Sequence, residues 1–271
     1  MGIVDAIRQG KPVPVPVIDT HTHMGPCADG GLHQHFETVE GAIELMEHIG
    51  VDAICTSPMI MDKGYMELAN AQCAEMIAAF PGKIYGNLVI CPHDGAEAVK
   101  KVVDQYGGKK GFVAMKFLTI IHGSPLRPEY EYALKFAEES QCPLTFHYWG
   151  SKYLNDVKKI LEKYPRLKLI LAHQGGGHRE DTLNTIEVMK QCDHLYIDTC
   201  GSIYNSLSIW EMAQLAGEDR LVFGTDIHYM EPRYEIGKVA FSGMPERVMK
   251  KIYAENYLRL LEDSQLDKIR L

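Results

Sequence analysis

The chain has 271 residues, enough for one (β/α)8 barrel or two smaller domains, and a mini-protein is excluded. Lysine and arginine number 28 against 36 aspartates and glutamates, and the resulting −8 is dispersed along the chain, which argues against nucleic acid or an anionic membrane as partner. With 46% hydrophobic and 24% charged residues the composition is globular, and no run of about 18 apolar residues could span a bilayer.

Lys11 to Pro16, KPVPVP, reads as an extended lead-in to a first strand. Eight short apolar or β-branched runs then follow in order: Val15 to His23, Val51 to Ser57, Ile84 to Ile90, Gly111 to Leu118, Pro143 to Tyr148, Leu167 to His173, Leu195 to Cys200 and Leu221 to Asp226. Amphipathic stretches separate them: Val39 to Ile49, Met66 to Phe80, Gly95 to Tyr106, Pro128 to Ser140, Lys152 to Tyr164, Glu180 to Cys192, Ile203 to Ala216 and Arg233 to Phe241. Pro245 to Glu262 closes the pattern, with proline in its first turn and a buried side marked by Ile252, Tyr253, Tyr257, Leu260 and Leu261. Strands that are apolar throughout, alternating with helices, imply a parallel sheet covered by helices. Eight repeats without a visible boundary predict a single (β/α)8 TIM barrel over residues 1–271, with a C-terminal helix. No GxGxxG or P-loop pattern follows the first strand, which argues against a nucleotide-binding open sheet.

Residues 1–23 lack the apolar core and small-residue cleavage site of a secretory signal, and Ala6 stands where a myristoylation signal needs Ser or Thr, so a cytoplasmic location is expected. The cysteines (Cys27, Cys55, Cys73, Cys91, Cys142, Cys192 and Cys200) are odd in number and form no CxxC pair, which fits reduced, buried thiols. Cys91 and Cys200 fall near strand ends, where small buried apolar side chains are the expectation.

Barrel active sites lie at the carboxyl ends of the strands, and here those ends carry His21 and His23, His147, His173, and Asp226. Residues two apart on a strand share a face, so His21 and His23 can chelate one ion, with strands five and eight adding ligands. Any one of these residues alone is more commonly a hydrogen-bonded structural residue; their conjunction at one barrel mouth points to a metal.

The segments IDTHTH, FHYWG, LILAHQGGG, LYIDT and FGTD, with the closing VMKKIYAENYLRLL, resemble the amidohydrolase superfamily, specifically its amidohydrolase-2 group related to aminocarboxymuconate semialdehyde decarboxylase. The resemblance runs over roughly residues 17–262 and implies that His21, His23, His147 and Asp226 bind one divalent ion, with His173 beside it as base or hydrogen-bond partner. Zinc is the first expectation for that ion, with manganese or iron as alternatives. Where the eighth-strand motif of the group commonly continues GTDYP, this chain reads GTDIHY, which directs attention to His228 and Tyr229 as pocket residues. Lys116 stands where binuclear relatives carry a carboxylated lysine, and is read as a pocket cation.

The resulting expectation is a hydrolase in which Asp226 and His173 handle the proton of a metal-activated water attacking an amide, lactone or ester of a small molecule. The alternative is metal-dependent non-oxidative decarboxylation of a small aromatic or unsaturated acid, which needs a carboxylate anchor. Arg127, Arg179 and Arg233, or the amides of Gly175–Gly177, are the candidates, although loop arginines are usually solvated. Tyr148 and Trp149 are expected to line an apolar substrate wall, and His33, His35 and Phe36 in the loop after the first strand to contribute to a lid. A homodimer is compatible with the group.

Overall fold

The computed structural model describes residues 1–25, 38–176, 178–201 and 209–271. The lid candidates His33, His35 and Phe36, together with Cys27, Gly177 and the first residues of the Ile203 to Ala216 helix, lie outside these residues.

Eight parallel strands form one sheet in sequence order, β1 (Ile18–Thr22), β2 (Ala53–Thr56), β3 (Ile84–Ile90), β4 (Phe112–Phe117), β5 (Leu144–Phe146), β6 (Leu169–Leu171), β7 (Leu195–Asp198) and β8 (Leu221–Val222). Backbone bonds between β1 and the segment after β8 close the sheet into a (β/α)8 TIM barrel: Thr20 N donates to Phe223 O at 3.0 Å and Asp226 N to His21 O at 2.8 Å. Each strand falls inside its predicted run: every strand residue is buried, so most of these runs are apolar on both faces rather than alternating.

Helix Val39–Ile49 shows why the boundaries were readable. Thr38 caps its first turn by accepting from Gly41 N at 3.1 Å, and Gly50 ends it at φ 93°. A Cβ at Gly50 would sit 2.5 Å from Val13 N, so only glycine lets the chain pass there. The six-residue helix Ile3–Arg8, not anticipated, precedes the KPVPVP segment and buries Ile3 and Ala6, with Ile3 N donating to Glu246 Oε1 at 2.9 Å.

Two apolar layers result. One lies between strands and helices and includes Ile54, Leu88, Phe117, Phe146, Leu171 and Ile197. The second, with Ile18, Ala53, Cys55, Ile170, Tyr196 and Val222, meets Tyr257 and Leu260. The closing helical segment, Glu246–Lys250 and Asn256–Leu261 joined through a π-helical turn, therefore covers the amino-terminal end of the barrel. Asn256 Nδ2 fixes it there by donating to Leu221 O at 2.7 Å. The carboxyl ends of the strands are left for the site. Among the described residues, no helix is long and apolar enough to cross a membrane.

Candidate metal centre

At the carboxyl end of β1, His21 Nε2 and His23 Nε2 lie 3.1 Å apart. Asp226 Oδ1 is 3.2 Å from His23 Nε2 and 3.5 Å from His21 Nε2, and all three side chains are buried. Their protons can be assigned from their partners. His23 Nδ1 is 2.9 Å from Ser57 O, a carbonyl that only accepts, so the ring proton is on Nδ1 and Nε2 presents a lone pair. His21 Nδ1 is 2.7 Å from Asp198 Oδ2, which likewise leaves the lone pair of Nε2 facing inward. Two imidazole lone pairs and a carboxylate oxygen thus converge, and apart from the Lys116 ammonium, 2.6 Å from His21 Nε2, no proton lies between them, an arrangement that a shared cation relieves. Donors spaced by about 3.3 Å match four-coordinate bonds of about 2.0–2.1 Å. The donor set fits one divalent ion.

Burial lowers the His21, His147 and His173 rings well below the ordinary histidine range, with Lys116 adding to the effect at each. The rings stay neutral, the form a metal requires. Lys116, fully buried on β4, approaches His21 Nε2 at 2.6 Å and so supplies positive charge beside the donor set.

The backbone is bent to aim these groups. Asp226 is held at φ 61° and His173 and Gln174 at φ 56° and 58°, left-handed conformations that non-glycine residues take at a cost of about 1 kcal/mol or more. Gly175 continues the turn at φ 70°, where a Cβ would lie 2.9 Å from Ile197 Cγ2. At Gly224 a Cβ would come within 2.9 Å of His21 Cβ, so glycine lets β8 close against β1 beside the ligands.

His147 lines the same cavity, with Nδ1 3.3 Å from His173 Nε2, while His173 Nδ1 lies 3.8 Å from Asp226 Oδ2. The structure therefore gathers His21, His23 and Asp226 within ligand spacing of one another and brings His147 and His173 beside them. The cavity is about 380 Å³. Its walls are Met61, Leu118, Ile120, Ile121, Trp149 and Met230, with Tyr229 against the His23 ring.

Of the other expected pocket residues, Trp149 is in the wall. Tyr148 is not: the chain turns His147 toward the cavity and sends its neighbour into the apolar core, where Tyr148 is 1% exposed. His228 is buried and does not line the cavity; the adjacent Tyr229 does. Arg179 begins helix Arg179–Met189, is exposed, and pairs with Glu211 at 3.1 Å rather than lining the cavity. Arg127 and Arg233 pair with Glu129 and Glu231, and no arginine lines the cavity among the described residues.

Sequence reasoning passed over Asp198. One oxygen of this buried carboxylate accepts from His21 Nδ1, and the other accepts from His173 N at 2.9 Å and from the Cys200 thiol at 3.0 Å. Burial raises the Cys200 thiol well above its usual range, so it donates to Asp198 as a protonated group. The available signal was an acid closing an otherwise apolar strand, LYID.

A family model described as amidohydrolase matches residues 18–262. Among solved structures, 2,6-dihydroxybenzoate decarboxylase from Rhizobium superposes with a TM-score of 0.72 at 15% identity, over 92% of this chain and 99% of that one. A dihydroxybenzoic acid decarboxylase from Polaromonas sp. JS666, with bound manganese and the inhibitor 2-nitroresorcinol, gives a TM-score of 0.67 at 15% identity, over 92% and 97% of the two chains. For 5-carboxyvanillate decarboxylase from Sphingomonas paucimobilis the values are 0.66 and 13%, over 91% and 98%.

Proposed function

The chain belongs to the amidohydrolase family, and we propose that it is a metal-dependent decarboxylase that removes CO2 from a small aromatic or unsaturated carboxylic acid without oxidation. The observation that carries this reading is the contrast within the cavity: a cluster of histidines and one aspartate at one end, and a wall of Met61, Leu118, Ile120, Ile121, Trp149 and Met230. A flat apolar acid matches that division, its carboxylate toward the donor set and its ring against the wall. Amide or lactone hydrolysis, the first expectation from the motifs, calls for further polar groups to orient the leaving group, and the described wall offers few. The decarboxylase names of the structurally similar proteins agree with this order.

His21, His23 and Asp226, with His147 beside them, would hold one divalent ion, manganese or zinc. When bound, that ion supplies Lewis-acid charge to hold and polarise the carboxylate. The protein's own task is then a proton. Loss of CO2 leaves an electron pair on carbon, and one proton must reach that carbon to complete the product. Asp226 and His173, 3.8 Å apart, can pass and hold it at the cavity end. Trp149, edge-on to the His173 ring at a centroid distance of 4.9 Å, keeps water from that path.

The test is to incubate the metal-loaded protein with hydroxybenzoates and unsaturated acids in D2O. The expected result is CO2 release, with deuterium at the vacated carbon and a loss of about 100-fold or more in His173→Ala. Turnover of amides or lactones without CO2 release from any acid would overturn the reading.

A further inference from the structure

A second cleft opens at the opposite, amino-terminal end of the strands, where Ile84 begins β3 and Gly111 precedes β4. At about 600 Å³ it is larger than the catalytic cavity. Its floor is apolar, formed by Ala74, Ile77, Ala78, Pro81, Ile84 and Tyr85. Around it stand four cations, Lys109, Lys110, Lys268 and Arg270.

One acid, Asp267, also lines the cleft, and its carboxylate is already committed. Oδ2 accepts from Gly111 N at 2.8 Å and Oδ1 from Lys268 N at 2.9 Å, which pins the C-terminal segment to the turn before β4. Arg270 is fixed through its backbone, whose N–H donates to the Tyr85 hydroxyl at 3.2 Å, so its guanidinium projects from an anchored position. Lys109 lies over the Tyr106 ring at 5.2 Å, and the Lys268 ammonium donates to Glu262 O. Lys110 and Arg270 form no ion pair among the described residues. On a chain of net charge −8 this is a local concentration of positive charge over an apolar floor. Among the described residues, no histidine, cysteine or serine lines the cleft to do chemistry.

We infer that this cleft is a binding site, separate from the catalytic centre, for a small organic anion with a flat apolar body and two or more negative charges. The body lies on Ile77, Ala78, Ile84 and Tyr85, and the charges meet Lys110 and Arg270. The inference does not depend on the decarboxylase reading, since it uses none of the residues of that site.

The probe is pyranine, a pyrene bearing several sulfonates, followed by fluorescence titration of the metal-loaded protein. One pyranine per chain is expected at low salt, weakening steeply with ionic strength. Both Lys110→Glu combined with Arg270→Glu and Ala78→Glu, all at exposed positions, should weaken it by about tenfold or more. Lys159→Glu, the same charge change elsewhere on the surface, and Trp149→Ala, in the catalytic cavity, should leave it unchanged. Thermal melts of each variant establish that the fold is intact. Equal weakening by Lys159→Glu would mean general attraction to surface charge, loss in Trp149→Ala would mean binding at the catalytic centre, and equal competition by pyrophosphate would mean that the floor is not used. Each of these overturns the site.

Discussion

Asp198 shows how much a single carboxylate can organise. It orients the His21 ring through Nδ1 and holds the backbone N–H of His173 in a left-handed turn, so one side chain sets both an imidazole of the proposed metal site and the histidine proposed to handle the proton. Groups that orient metal ligands change affinity by about 10–100-fold when removed. Asp198→Asn preserves size but turns one oxygen into a donor, which faces either His21 Nδ1–H or the His173 amide. Manganese affinity, measured by competition with a chelator, should fall by about 10–100-fold while the metal-free melting temperature changes little. A merely structural role would produce the opposite pattern, a lower melting temperature with unchanged affinity. The residue escaped sequence reading because an acid after an apolar run also serves as a turn former; only its contact with His21, 177 positions away, reveals its use.

At the scale of elements, the four-residue helix Thr119–His122 after β4 turns part of the barrel rim into an apolar wall of the cavity, where the proposed substrate would lie. Its one turn directs Ile120 and Ile121 to the cavity mouth, where they remain 54% and 45% exposed. A ring bound there would cover them. Ile121→Ser removes apolar contact worth about 1–2 kcal/mol that substrate and transition state share equally. KM for an aromatic acid should therefore rise about tenfold with kcat nearly unchanged, whereas a fall in kcat at constant KM would remove Ile121 from the wall. This element was not legible in FLTIIHG, where the predicted strand ends at Leu118 and the few residues that follow are too short to show a helical period. The left-handed turn at His173–Gly175 was hidden likewise, because AHQGGG shows that a turn occurs and not which way it throws the histidine. Strands and long helices were legible because their periodicity spans whole elements: Val39–Ile49 agrees at both ends, where Thr38 and Gly50 mark it. Helix Ile3–Arg8 has too few turns to show a period. Arg179 was placed correctly in the chain but assigned to the cavity, since the face a helix gives its first residue depends on packing that no local motif encodes.

For the whole molecule, the donor set lies on the seam that closes the barrel. β8 has two residues, the shortest of the strands, and the first and last strands meet through a few backbone bonds across roughly 200 positions of chain. His21 and His23 come from one side of the seam and Asp226 from the other, so an ion shared by them would join the ends of the sheet as well as serve the proposed chemistry. Binding to the folded state alone stabilises it by about 2.7 kcal/mol at a free concentration of 100 times Kd, which for a chain of 271 residues is about 5 °C in melting temperature. Stripping the ion with a chelator should lower the midpoint by that amount, and restoring manganese should recover it. Asp226→Asn should melt near the stripped value and respond weakly to the metal, because the seam has lost its donor from the β8 side. An unchanged midpoint on stripping, with metal content confirmed before and after, would show that backbone bonds and the Gly224–His21 contact close the barrel unaided.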